Sequence, residues 1–140
     1  MPLSDQDIAL IQDSFATLQR ALEPNSLFFY EALFHHAPQF RRLFREDLAG
    51  QGMKFMSTLS VIVKNLKDPS LLESRYAELG RTHAIMGVRA PDFAPMEEAL
   101  VDTMRHALGP RFTPEHERAW RTAFGAFSKA MIEKGEIPAK

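Results

Sequence analysis

The chain contains no cysteine. That absence excludes disulfides, thiolate-bound zinc, iron–sulfur clusters and a cysteine nucleophile, and it fits a reducing cytoplasm. Neither sign of charge is in excess. With 17 basic and 18 acidic side chains the net charge is −1, so there is no electrostatic reason to expect nucleic acid or an anionic membrane as partner. No apolar run approaches the length of about 18–20 residues that a membrane span needs. The opening MPLSDQDIALIQ lacks a basic stretch followed by an apolar one and does not read as a secretory signal. Phosphate loops, G-x-S-x-G, H-E-x-x-H and flavin or nicotinamide fingerprints are all missing. No alternating segment bounded by hairpin turns occurs. Tyrosine and tryptophan are scarce, at two and one, against 11 phenylalanines and seven methionines. Such a mixture suits a flat apolar ligand and a plain core alike.

The 140 residues are read as one domain over 1–140, long enough to bury a sizeable core. Periodicity is helical almost throughout. Ser4 caps a first helix whose apolar positions are Ile8, Ile11, Phe15, Leu18 and Leu22, and Glu23-Pro24 is expected to end it. A second helix is expected from about residue 24 to 36, with Leu27, Tyr30, Leu33 and Phe34 on one face. Pro38 starts a short turn carrying Phe40, Leu43 and Phe44. After a connection at 47–50, a third helix runs over about 51–66 with Phe55, Leu59, Ile62 and Val63 inward. Asp68-Pro69-Ser70 precedes a stripe of Leu72, Tyr76, Leu79, Gly80, His83 and Met86, which Gly87 closes. Ala90-Pro91-Asp92 opens the next helix, with Phe93, Met96, Leu100 and Met104 inward. Gly109-Pro110 breaks it. Thr113 caps the last, with Pro114 at its first position and Trp120, Phe124, Phe127 and Met131 on its buried side. The fold class is all-α, with six or seven unequal helices, either globin-like or an irregular bundle.

Three residues could carry chemistry. His83 lies in an apolar stripe. It is either a core histidine bonded to a carbonyl or an imidazole ligand to a metal that keeps one position open. Tyr30 is either a buried ring with its hydroxyl on a carbonyl or a donor aimed at a ligand. Gln51 is either a solvated helix start or a second such donor. His35 and His36 suit a helix C-terminus, and His106 and His116 suit wet positions. Arg41, Arg42 and Arg45 read as a solvated turn.

Over nearly its whole length the sequence resembles the globins. Leu27-Phe28-Phe29-Tyr30, Leu33-Phe34, Pro38 and Leu43-Phe44 resemble the second helix and the turn after it. Leu79-Gly80-Arg81-Thr82-His83 with Gly87-Val88 resembles the proximal helix. Phe93, the stretch from Leu108 to Pro114, and Ala119-Trp120 resemble the last two helices. The likeness is strongest to neuroglobins and to bacterial single-domain globins related to flavohaemoglobins. It implies a three-over-three globin fold with helix D short or absent, and haem b as cofactor. His83 becomes the proximal iron ligand. Gln51, 32 residues earlier, becomes the distal residue, with Tyr30 beside it and Phe55 narrowing the pocket and gating entry. Phe44 packs on the haem face and Lys54 reaches a propionate. Leu79, Val88, Phe93, Met96 and Phe124 line the remainder.

What the likeness implies about function is reversible, high-affinity binding of O₂, NO, CO or other diatomic gases, for storage, delivery or scavenging. Nitric oxide dioxygenation with a separate reductase is the alternative, since no flavin domain is expected within these residues, and gas or redox sensing is a third reading. Two features depart from the relatives. The glutamine amide at Gln51 cannot bind iron as an imidazole does, so water, hydroxide or Tyr30 at high pH is expected as sixth ligand rather than a second histidine. Flavohaemoglobin-type globins also place a tyrosine and a glutamate behind the proximal histidine. Here Phe93 stands at the first position and the second falls near Gly135, so the expected proximal ligand is a neutral imidazole with little electron push.

Overall fold

In the computed structural model the described residues are 3–43, 48–85 and 88–138. They form six α-helices joined by tight turns: α1 (Asp5–Gln19), α2 (Leu22–His36), α3 (Leu48–Lys64), α4 (Glu73–Ile85), α5 (Phe93–Leu108) and α6 (Pro114–Gly135). Single 3₁₀ turns cover Pro38–Leu43, Pro69–Leu72, Ala90–Asp92 and Gly109–Arg111. No strand occurs among the described residues.

Capping follows the expected chemistry. The Asp7 N–H donates to Ser4 Oγ, and the Asp7 carboxylate accepts from the Ser4 N–H in return. Thr113 accepts from the His116 N–H, with Pro114 in the first turn of α6. Two boundaries differ from expectation. Pro24 does not end α1; α1 stops at Gln19, and Pro24 lies in the first turn of α2, where a missing N–H costs nothing. Helix α3 begins at Leu48, inside the segment expected to be a connection, and ends at Lys64. Met86 and Gly87, expected to close α4, lie outside the described residues, as does Phe44.

The helices pack chiefly as α4 on α6 and α2 on α5, with α3 across α2 and α1 across α6. Burial along each helix repeats every three or four residues, as in Ile8, Ile11, Phe15 and Leu18 of α1. One tie between α1 and α6 is polar. The indole N–H of Trp120, which is wholly buried, donates to Ser14 Oγ at 2.8 Å, and that hydroxyl donates to the Leu10 carbonyl at 2.7 Å. Arg121 on α6 spans to Glu97 and Glu98 on α5 and to Glu117 one turn back. Its hydrogen bonds hold the carboxyls of Glu98 and Glu117 below the usual range. These groups are partly exposed, so each pair is worth under about 1 kcal/mol.

Two crossings bring helices close through a glycine. On α4 and α6, Gly80 and Gly135 are in contact, and a β-carbon built on Gly80 would stand 2.8 Å from the Gly135 Cα while colliding with the Met131 carbonyl. On α3 and α2, a β-carbon on Gly52 would stand 2.7 Å from Ser26 Oγ and 2.8 Å from its Cβ. By contrast, nothing approaches Gly125 within 4 Å. Gly135→Ala is therefore expected to destabilise by about 1–3 kcal/mol, because backbone must move to admit the methyl. Gly125→Ala, in the same helix, is expected to stabilise by about 0.5–1 kcal/mol. Urea unfolding of both variants followed by circular dichroism tests this contrast; equal behaviour would refute the crossing.

Candidate functional site

Between the two crossings the helices stand apart and enclose a cavity of about 230 Å³. Five helices and the turn after α2 line it. Helix α2 supplies Phe29, Tyr30 and Leu33, and the turn after it supplies Phe40. Helix α3 supplies Lys54, Phe55, Thr58, Leu59 and Ile62. Helix α4 supplies Leu79, Thr82 and His83, followed by Val88. From α5 come Phe93, Met96 and Leu100, and from α6 come Phe124, Phe127 and Met131. The lining is apolar apart from Tyr30, Lys54, Thr58, Thr82 and His83.

His83 occupies the last turns of α4. Its Nδ1 lies 2.7 Å from the Leu79 carbonyl one turn back. A carbonyl only accepts, so Nδ1 carries the proton and donates it, and Nε2 is left as a lone pair for a ligand. The ring is half-buried and leans on Phe93, with centroids 5.9 Å apart. The Val88 N–H donates to the His83 carbonyl, and the Ala90 N–H donates to the Pro138 carbonyl. Helix α6 ends at Glu136 in the left-handed region, φ 55°. The chain then turns back, burying Ile137. The segment after the histidine is thus held from both ends. Gly135, near which the globin likeness puts the second proximal position, is pressed on the Gly80 backbone.

Of the residues singled out in the sequence, the cavity gathers Tyr30, Lys54, Phe55, Leu79, His83, Val88, Phe93, Met96 and Phe124. Gln51 is part of α3, one turn before Phe55. Phe44 lies outside the described residues. Sequence reading assigned Leu33, Phe40, Leu59, Ile62, Leu100, Phe127 and Met131 only to the core or to buried faces; they are cavity wall as well. It missed Thr58 and Thr82. Thr58 could have been found by spacing, since it follows Lys54 and Phe55 by one turn on the same face of α3. His36, read only as a helix-end cation, bridges α2 to Asp102 on α5 at 2.7 Å.

Comparison with known proteins decides the family. The globin family matches residues 27–131. The chain is a globin. Neuroglobin of Danio rerio is 28% identical to it, covering 92% of this chain and 90% of its own. Leghemoglobin 2 of Sesbania rostrata is 24% identical, covering 94% and 97%. Among solved structures, a hexacoordinated haem protein from an anhydrobiotic tardigrade superimposes with TM-score 0.86 at 20% identity, over 96% of each chain. An engineered carbene transferase, built on a nitric oxide dioxygenase candidate from Rhodothermus marinus, gives TM-score 0.84 at 28% identity, over 96% and 94%.

The cofactor of a globin is haem, and the residues of this globin fit it. Among the described residues no group of three histidine, cysteine, aspartate or glutamate side chains could hold a metal ion. A lone imidazole cannot hold iron unaided; the other ligands must arrive with the metal, as in a macrocycle. An apolar cavity with one imidazole on its wall meets that requirement. No described helix is long and apolar enough to cross a membrane.

Behind the cavity wall, Tyr76 stacks on Phe127 at 6.2 Å and is 9% exposed. Burial penalises its phenolate and pushes its pKa up to about 12. The folded value thus exceeds the ordinary one of about 10, so its contribution to stability is full below pH 10 and is lost as pH rises toward 12. Tyr76→Phe is expected to remove that part of the alkaline loss. Urea midpoints of both proteins near about pH 9 and about pH 11.5 check it, and a parallel decline would refute it.

Proposed function

We propose that this globin binds O₂, NO, CO and similar diatomic gases reversibly and with high affinity, with His83 as the axial ligand to haem iron and Tyr30 and Gln51 as distal donors. The observation that carries this reading is the His83 ring, held by the Leu79 carbonyl with its other nitrogen free at an apolar cavity. Haem held by one axial imidazole offers a sixth position at which a diatomic gas binds. Donation from Nδ1 to the Leu79 carbonyl fixes the ring's orientation and leaves Nε2 as the ligating nitrogen. Tyr30 supplies a phenol O–H at 3% exposure, where the low dielectric strengthens a hydrogen bond to a polarised ligand. Gln51, on α3 one turn before Phe55 and with its side chain outside the described residues, is assigned the second donor on the strength of the globin likeness. Lys54, exposed at the cavity edge, is suited to a propionate, and Phe44 to the haem face. We infer a single domain over 1–140, working in the cytoplasm, where reductants that keep haem ferrous are available.

The tests are spectroscopic and kinetic. His83→Ala is expected to lose its Soret band unless imidazole is added; an intact band without imidazole would defeat the ligand assignment. Tyr30→Phe is expected to release O₂ well over tenfold faster if the phenol's bond is worth ~1.5–3 kcal/mol. An unchanged off-rate would remove Tyr30 from the distal pair.

A second reading is nitric oxide dioxygenation, in which O₂ and NO become nitrate and a separate reductase restores ferrous haem. It is supported by the likeness, at 28% identity, to the Rhodothermus marinus protein. Sustained NO consumption with a flavin reductase and NADH would establish turnover, whereas a single stoichiometric burst would leave gas binding as the function.

A further inference from the structure

The wall formed by α2 and α3 carries an aromatic construction that gas binding alone does not require. Phe29 and Phe55 stack almost in parallel, with centroids 4.4 Å apart and planes at 14°. Tyr30 meets Phe29 edge-on at 5.2 Å and 72° and stands 6.5 Å from Phe55. Phe29 is 3% exposed and Phe55 half-buried, and both rings line the cavity. The stack therefore joins the two helices at the cavity surface.

One turn earlier on each helix, Gly52 lies on Ser26 with no room for a β-carbon between them. Ser26 is wholly buried and its hydroxyl donates to the Glu23 carbonyl at 2.8 Å. The Gly52 backbone of α3 thus presses on the buried Ser26 side chain of α2, and the separation of the two phenyl rings is set beside that close crossing. Phe55 cannot leave its rotamer without uncovering a face of Phe29. A lone phenylalanine on a cavity wall can swing aside for a bulky guest; one that is stacked and backed by a close helix crossing cannot.

We propose that Phe29 is a specificity-determining positioning residue. By stacking on Phe55 it holds that ring in the cavity and sets a size ceiling, which admits diatomic gases and rejects branched ligands. The inference rests on the haem reading above and goes beyond it, because it assigns selectivity to a residue that need not touch the ligand.

The test uses ferrous, haem-loaded protein with CO, methyl isocyanide and tert-butyl isocyanide as probes of graded size. The wild type is expected to bind tert-butyl isocyanide at least about 100-fold more slowly than methyl isocyanide. Phe29→Leu and Phe29→Met keep the volume and lose the stack. Each is expected to shrink that ratio at least about tenfold while CO association stays within about threefold. Phe55→Leu is expected to shrink the same ratio, and combining it with Phe29→Leu to add little, since both remove one obstacle.

A wild type that takes both isocyanides equally fast overturns the proposal. So does an unchanged ratio in Phe29→Leu and Phe29→Met with helicity and CO binding intact. Should those variants fail to fold, the half-buried Phe55 provides the readout, and an unchanged ratio in Phe55→Leu is equally fatal. Absence of a Soret band and of CO binding in the wild type would instead overturn the haem reading, and the size ceiling with it. Failure of the ratio alone leaves haem binding standing.

Discussion

The contact of Gly80 with Gly135 is the constraint from which the site follows. Helices normally pack with side chains between them, about 8–10 Å apart on axis. Here α4 and α6 touch backbone to backbone, and at the second close crossing the Gly52 backbone of α3 presses on the Ser26 side chain of α2. Helices that meet so closely at one point must diverge away from it, and the space they leave is the cavity. Its walls carry large apolar side chains, Phe124, Phe127 and Met131 from α6 and Phe55 and Ile62 from α3. They line the space without closing it. An apolar void of this size forfeits dispersion contacts on every side. A flat apolar cofactor restores them, so the energetics of the fold and of haem binding are one problem.

The same crossing sets the chemistry of the histidine. Gly80 lies one turn before His83, so the placement of α4 against α6 also places the imidazole. The ring's Nδ1 proton goes to the Leu79 carbonyl of its own helix. A carbonyl orients an imidazole without drawing its proton as a carboxylate would. The charge distribution suits stable binding of a neutral gas better than cleavage of a peroxide bond.

Much of this was legible in the sequence because helix periodicity and capping are local. Ser4 and Thr113 announced their helices, and the Leu79–His83 stripe announced the face that meets the cavity. Pro24 misled because a proline disrupts helix interiors but not first turns, and only the packed structure shows which of the two it occupies. The globin likeness was carried by particular residues, such as Leu27–Tyr30 and Leu79–His83, and the family match bears it out. The crossings were not readable. A glycine in a helix looks the same whether it faces open solvent, as Gly125 does, or another backbone, as Gly135 does. Nor was the Phe29–Phe55 stack, since pairing across helices depends on where α2 and α3 cross. The wall residues Leu59, Ile62 and Phe127 were placed on buried faces; periodicity cannot distinguish core from the lining of a cavity.

The bond from Ala90 to the carbonyl of Pro138 has a consequence for the order in which the molecule is made. The loop behind His83 is closed by residues more than forty positions downstream, and α4 rests on a helix that begins only at Pro114. A nascent chain that has emerged as far as α5 already holds Tyr30, Phe55 and His83, yet it lacks one wall of the slot and the strap behind the imidazole. Domains fold as units, and contacts this distant in sequence form late. The complete slot, with its last wall and the strap behind the imidazole, therefore exists only once residue 138 has been made.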